Sequence, residues 1–149
     1  MSDDEYYRYA EKCLYGYRRN EERAEQLREE LRQLRDAGDV KAQSYGLQNS
    51  GAGGYSDPVG MYVENIERAE HALHRLERKV KPIARLRNDL QEGSVITVTS
   101  PHNLIRVMEE YFFENKKVME FLRITRWGRS TFFNRRYELV SLTLEYLRE

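Results

Sequence analysis

The sequence predicts an all-α protein with a long antiparallel coiled-coil helical hairpin followed by a C-terminal helix-turn-helix domain. Apolar residues recur at alternating spacings of three and four in two long stretches, which is the heptad pattern of paired helices. A glycine-rich stretch separates the two, and the last part of the chain is richer in aromatic residues. These observations divide the chain into a helical hairpin at 1–93, with a flexible loop at 37–56, and a C-terminal domain at 94–149.

Composition limits the class of protein. The 149 residues include 25 Lys and Arg and 25 Asp and Glu, so the formal net charge is zero. No apolar run is long enough for a transmembrane helix, and the acidic start of the chain does not resemble a secretory signal. A single cysteine, Cys13, excludes an internal disulfide and a cysteine-based zinc site. We therefore expect a cytoplasmic protein that makes no membrane contact.

The first helix is predicted over residues 2–36. Gly16 is its only weak helix former, and Asn20 fills the one polar position of the heptad seam. A polar seam residue costs stability but can fix the register of a coiled coil. The apolar seam residues are Tyr6, Ala10, Cys13, Tyr17, Ala24, Leu27, Leu31 and Leu34.

The second helix is predicted to begin at Pro58, capped by Ser56 or Asp57, and to end at Gly93. Pro82 lies inside it and should bend or break it near residues 79–81, because proline removes a backbone donor. The heptad pattern does not say whether the two helices pair within one chain or between chains. The second seam consists of Tyr62, Ile66, Ala69, Leu73, Leu76, Val80, Ile83 and Leu90, with Arg87 in its one charged position.

Residues 94–99 (SVITVT) are rich in β-branched side chains and predict an extended linker, or a strand that pairs across a dimer. Ser100 is then a helix cap and Pro101 a first helical residue. The apolar spacing predicts a helix, a short helix after the charged turn at 114–117, a tight turn at Gly128, and a last helix to Leu147. This order is a helix-turn-helix pattern.

The charges are unevenly distributed in this domain. Between Phe121 and Tyr137 there are five arginines and no acidic residue, so neutrality of the whole chain hides a basic segment. A recognition helix enters the major groove by its N-terminal turns, where arginine reads guanine and asparagine reads adenine. The alternative is a solvated helix face without a ligand. The predicted DNA-binding residues are Arg123, Arg126, Arg129, Ser130, Thr131, Asn134, Arg135 and Arg136.

Trp127 is interpreted as a core residue of the turn, and only one of the adjacent Phe132 and Phe133 can face the core.

The stretch EEYFFENKKVMEFLRITRWGRSTFFNRRYELVSLTLEYL resembles the C-terminal domain of the RinA/ArpU family of phage late-gene transcriptional regulators, which is similar to region 4 of sigma factors. The resemblance covers roughly residues 100–148. It implies promoter DNA and RNA polymerase as partners in a bacterial host cell, and it departs from the family in the turn, where Trp127 and Gly128 stand.

No catalytic or cofactor motif is evident, so we expect neither an enzyme nor a bound cofactor or metal. His71 and His74 have a spacing that can hold a metal, but no third ligand is apparent. The leading hypothesis is a homo-oligomeric regulator that binds double-stranded DNA. Two alternatives remain: a small terminase-like DNA-packaging subunit, and a helical adaptor that binds protein without DNA.

Overall fold

The computed structural model describes residues 2–47 and 58–149, and side chains are described except at 39–47 and Pro58. The described part is helical throughout and contains no strand, which confirms the predicted all-α class. The α-helices are α1 (Asp3–Tyr15), α2 (Tyr17–Leu47), α3 (Pro58–Glu92), α4 (Pro101–Arg106), α5 (Val118–Thr125) and α6 (Arg129–Arg148), and a π-helical segment (Val107–Phe113) follows α4.

Contacts group the chain into two compact units. The first unit consists of Met1–Asn20 and Arg78–Glu149, and the second unit is Glu21–Glu77. The predicted boundary between residues 93 and 94 was drawn from a change in sequence pattern, whereas these units are defined by packing. The assignment of separate functions to 1–93 and 94–149 stays a prediction. Packing brings α1 together with α6 and the π-helical segment, although many residues separate them along the chain.

The N-terminal helix begins where its capping residues place it. The Ser2 side chain accepts a hydrogen bond from the Glu5 amide, and the Glu5 carboxylate accepts one from the Ser2 amide.

The predicted single helix over 2–36 is interrupted at Gly16. The predicted loop at 37–56 is wrong in its first part, because α2 continues to Leu47. Most residues in this extension, 37–47, have helix propensities that allow an existing helix to continue. The rest of the loop and the predicted caps Ser56 and Asp57 lie outside the described residues.

The predicted seams are buried in large part. In the first unit, Leu14 and Leu86 join the predicted set, and both are fully buried. Pro82 does not break the helix, since α3 is continuous from Pro58 to Glu92, and the alternative of a bend there stays a prediction. Burial of Ile83 and Leu86 directly after the proline offsets the backbone hydrogen bond that proline cannot donate. The predicted seam residues buried in the structure are Ala10, Cys13, Tyr17, Ala24, Leu27, Leu31, Val80, Ile83 and Leu90.

In the second unit the two helical stretches run antiparallel within one chain. Arg28 contacts Glu77 at 3.3 Å, and Arg35 contacts Glu70 at 2.8 Å, so residue numbers rise along one stretch as they fall along the other. Gly38 lies against the Tyr62 ring so closely that a β-carbon on Gly38 would overlap it. These exposed ion pairs contribute little stability individually. The buried Ala24, Leu27 and Leu31 supply the apolar face of the unit.

The core of the first unit is aromatic. Phe112, Phe121 and Phe132 are fully buried, and Tyr111 contacts all three rings at centroid distances of 4.9 to 5.6 Å. Tyr15 of α1 lies edge-on to Phe112 at 4.8 Å. The predicted apolar face of the helix after Pro101 is thereby confirmed, although Val107–Phe113 adopts π-helical rather than α-helical geometry.

The linker at 94–99 forms no strand within this chain. Gly93 ends α3 with a φ of 73°, a left-handed conformation that glycine adopts without strain. The Glu138 carboxylate accepts hydrogen bonds from the amides of Val98 and Thr99, at 2.7 and 3.0 Å. Glu138 therefore fixes the end of the linker to α6. Strand pairing across a dimer concerns a second chain and stays a prediction.

Alkaline pH is expected to weaken the first unit through Tyr111. Burial raises the pKa of Tyr111 from 10.0 to about 12, and the bond between the Tyr111 and Tyr15 hydroxyls, 2.9 Å long, acts in the same direction. The folded state therefore favours the neutral phenol. This contribution to stability is complete below the unfolded pKa near 10 and is lost as pH rises towards 12. Urea unfolding at several pH values between 9 and about 12 measures this effect. The free energy of unfolding should fall less with pH in Tyr111→Phe than in the wild type. Equal falls would contradict the role assigned to this hydroxyl.

Candidate functional site

The candidate site is built by α5, the turn at 126–128 and the first turns of α6. Phe121 on α5 and Phe132 on α6 are fully buried and contact each other at 5.4 Å. The Trp127 ring packs edge-on to Phe121 at 5.4 Å, in agreement with its interpretation as a core residue of the turn. Because these rings anchor one side of both helices, the opposite side of the N-terminal part of α6 is left exposed.

The turn itself has an unusual backbone. Arg126 has a φ of 61°, and its amide donates to the Leu122 carbonyl at 2.8 Å. The Thr125 hydroxyl donates to the Phe121 carbonyl and accepts from the Trp127 amide. Glycine is the usual residue in this left-handed position at a helix end, since it has no β-carbon. Arginine in this conformation carries a backbone strain that glycine would not have.

Arg126→Gly is expected to raise the free energy of unfolding by about 1 kcal/mol, because glycine relieves the left-handed strain. Arg123→Gly is the matched control, since Arg123 lies in the last turn of α5 and glycine there should lower stability by about 1 kcal/mol. Urea unfolding of both variants shows whether the free energy of unfolding rises in Arg126→Gly and falls in Arg123→Gly. A loss of stability in Arg126→Gly would mean that the arginine side chain stabilises the turn by other contacts.

Six of the eight predicted DNA-binding residues are exposed on this surface. Arg135 is half-buried, with its guanidinium 4.3 Å from the centroid of the Trp127 ring. The first acidic residue after this segment, Glu138, is engaged by the linker amides. The surface is therefore electropositive along the turn and the start of α6. The exposed residues are Arg123, Arg126, Arg129, Ser130, Thr131 and Asn134.

Arg136 lies apart from the other predicted residues, because its side chain is only 15% exposed and turns towards α1. Its guanidinium forms an ion pair with Glu11 and reaches the hydroxyls of Tyr7 and Tyr15, each at 3.4 Å. Burial disfavours the charged guanidinium, but hydrogen bonds to Tyr15 and Glu11 outweigh it and raise the pKa of Arg136. Arg136 therefore holds α6 against α1, a contact that local sequence reasoning missed.

Two exposed aromatic residues on α6 were not among the predicted site residues. The Phe133 side chain is 49% exposed, while its neighbour Phe132 is fully buried, which settles the choice that the sequence left open. Tyr137 is 64% exposed and stacks on Tyr7 with a centroid distance of 5.8 Å. The spacing of four between Phe133 and Tyr137 places them on one helix face and was visible in the sequence.

Histidine, cysteine and carboxylate side chains are the remaining candidates for a reactive or metal-binding site. Within residues 2–47 and 58–149, no group of three His, Cys, Asp or Glu residues is arranged to hold a metal ion. Cys13 is 3% exposed, and burial raises the pKa of its thiol, which disfavours the reactive thiolate. None of the helices described has both the length and the apolar character required to cross a membrane.

Comparison with protein-family models, with curated proteins and with solved structures found no match to this chain.

Proposed function

We propose that this chain is a phage or prophage transcriptional regulator that binds double-stranded promoter DNA through a helix-turn-helix formed by α5 and α6. The observation that carries the proposal is the exposed arginine surface around the N-terminus of α6. Arg123, Arg126 and Arg129 are all exposed there, and no acidic residue occurs between Phe121 and Tyr137. An exposed basic surface at the start of a helix has the charge and the shape to bind a DNA backbone.

The proposed contacts follow from the order of residues in this surface. The three exposed arginines bind phosphates and give the complex its affinity, which depends on salt because counterions are released. Gly128 caps α6 without a side-chain bond, so the first amides of the helix are available to phosphate oxygens. Ser130, Thr131 and Asn134 lie in the first turns of α6, the part of a recognition helix that reaches base edges.

The inward-facing arginines have a different part in this proposal. Arg136 fixes α6 through Glu11, and Arg135 packs on Trp127. Both position the recognition helix. A helix held in this way loses little conformational freedom on binding, which favours affinity.

In the same proposal, the region 1–93 acts as a coiled-coil hairpin through which copies associate. Val59, Met61 and Val63 are between 45% and 59% exposed on α3 and offer apolar surface for a second copy. A dimer would place two recognition helices on half-sites about 34 Å apart, one turn of DNA. Contact with RNA polymerase, late-gene activation and the cytoplasm of a bacterial host follow from the family resemblance.

Fluorescence anisotropy with the full chain tests the proposal. Labelled duplexes from the DNA around its own gene are titrated at several salt concentrations. We expect binding whose affinity falls steeply with salt, by about 0.9 logarithmic units per tenfold rise in salt for each phosphate contact. Light scattering on the same sample should give a dimer or tetramer.

Other outcomes separate the alternatives. A large ring of subunits by light scattering would favour the terminase-like subunit. The absence of duplex binding at low salt would contradict the proposal, and a tight protein partner in that case would favour the adaptor.

A further inference from the structure

A strip of four exposed residues runs along the solvent side of α6. Ser130, Phe133, Asn134 and Tyr137 stand at positions i, i+3, i+4 and i+7, so they share one helix face. All four are exposed, although Phe133 and Tyr137 are large apolar rings. The fully buried residues Phe132, Leu139 and Val140 lie on the other side of the same helix. This strip is thus the part of α6 that faces an incoming ligand.

The three arginines in the first half of α6, Arg129, Arg135 and Arg136, each make a contact within the chain. A guanidinium nitrogen of Arg129 lies 3.3 Å from the Met119 sulfur. The Arg135 guanidinium stacks on Trp127, and that of Arg136 is paired with Glu11. Reading a guanine with Arg135 or Arg136 would require one of these contacts to be broken, and the proposed function assigns the exposed Arg129 to a phosphate. The strip itself contains no arginine and exposes residue types that read adenine and thymine.

We propose that the strip reads A·T base pairs, a specificity that rests on the proposed function. The Asn134 side chain pairs with the N6 and N7 edge of an adenine, and the Phe133 ring packs on the C5-methyl group of a thymine. Arg123, Arg126 and Arg129 hold the flanking phosphates and carry no base preference. The ligand is duplex DNA with A·T pairs at the centre of each half-site.

The two proposed contacts, of Phe133 with a thymine and of Asn134 with an adenine, set how much the affinity and the base preference should change. Removing one thymine methyl group should weaken binding about fourfold, the equivalent of roughly 0.8 kcal/mol for one buried methyl-sized group. Removing the paired amide of Asn134 should reduce the preference for adenine over other bases by about 5- to 150-fold. Both side chains are exposed, so neither change opens a cavity in the core.

The test begins with the full chain and a pool of randomised duplexes, from which bound molecules are selected and sequenced. We expect a motif with A·T pairs at its centre. The selected duplex is then remade with uracil in place of each thymine, which removes only the methyl group. The wild type should lose about fourfold in affinity at one position, and Phe133→Ala should not distinguish the two duplexes. Asn134→Ala should no longer prefer adenine over other bases at the position that Asn134 contacts.

Ile124→Ala is the matched control, because Ile124 is an exposed apolar residue, at 51%, outside the strip. It should keep the wild-type preference for thymine over uracil. A selected motif of G·C pairs, or equal binding of thymine and uracil duplexes by the wild type, would overturn the inference while leaving DNA binding intact. If Phe133→Ala keeps the wild-type preference for thymine over uracil, the ring does not contact the methyl group, and the inference is overturned. Failure to select any duplex at low salt would overturn both this inference and the proposed function.

Discussion

Replacing Arg123, Arg126 and Arg129 together by alanine is expected to weaken duplex binding by about 100- to 1,000-fold at 0.1 M salt. Each arginine is exposed on the surface around the N-terminus of α6, where it can reach a phosphate, although Arg129 must exchange its 3.3 Å contact with the Met119 sulfur for that of the phosphate. The loss of three phosphate contacts should also reduce the slope of log K against log salt by about 2.7. Anisotropy titrations at four or more salt concentrations measure both quantities.

The matched control removes the same charge from the second unit. Arg23, Arg32 and Arg68 have side chains between 50% and 80% exposed, and the partners described for them lie on their own helices. Their triple alanine variant should keep the wild-type affinity within about threefold, because distant surface charges are screened by salt. Equal losses in the two variants would show that binding follows net charge and not the arginine surface of α5 and α6.

Phe112→Ala is expected to lower the free energy of unfolding by about 3 to 5 kcal/mol. The ring is fully buried and contacts Tyr15 of α1 and Tyr111, and the Arg136 guanidinium lies 5.1 Å from its centroid. Its loss leaves a cavity where α1, α6 and the π-helical segment meet. Urea unfolding followed by circular dichroism measures the change.

Phe133→Ala serves as the stability control, because it removes the same ring from a half-exposed position on α6. We expect it to cost about 1 kcal/mol or less, since little apolar surface is uncovered. A similar cost in both variants would contradict the burial that separates these two rings.

The elements that the sequence predicted are those governed by local spacing. The heptad positions Ala10, Leu27 and Leu31 are buried as the alternating threes and fours require, and Gly128 and Pro101 stand at helix starts. The helix ends were harder to predict, because α2 continues through a stretch that looks flexible by composition. Packing around Pro82 likewise keeps α3 continuous against its local preference.

The candidate site was predictable in its charge and unpredictable in its orientation. The absence of acidic residues between Phe121 and Tyr137 is a property of the sequence alone. The inward turn of Arg136 depends on Glu11, a residue more than a hundred positions away, and no local pattern reports such a contact. The same holds for Phe133, whose exposure is fixed only once Phe132 enters the core formed with Tyr111.

The most direct test of DNA binding by α5 and α6 is a nuclear magnetic resonance titration of the isotopically labelled full chain with a selected duplex. We expect backbone amide shifts to change mainly within residues 123–137, with the largest changes at the turn and the first two turns of α6. Shift changes centred on residues 21–77, or none at a saturating concentration of duplex, would contradict it.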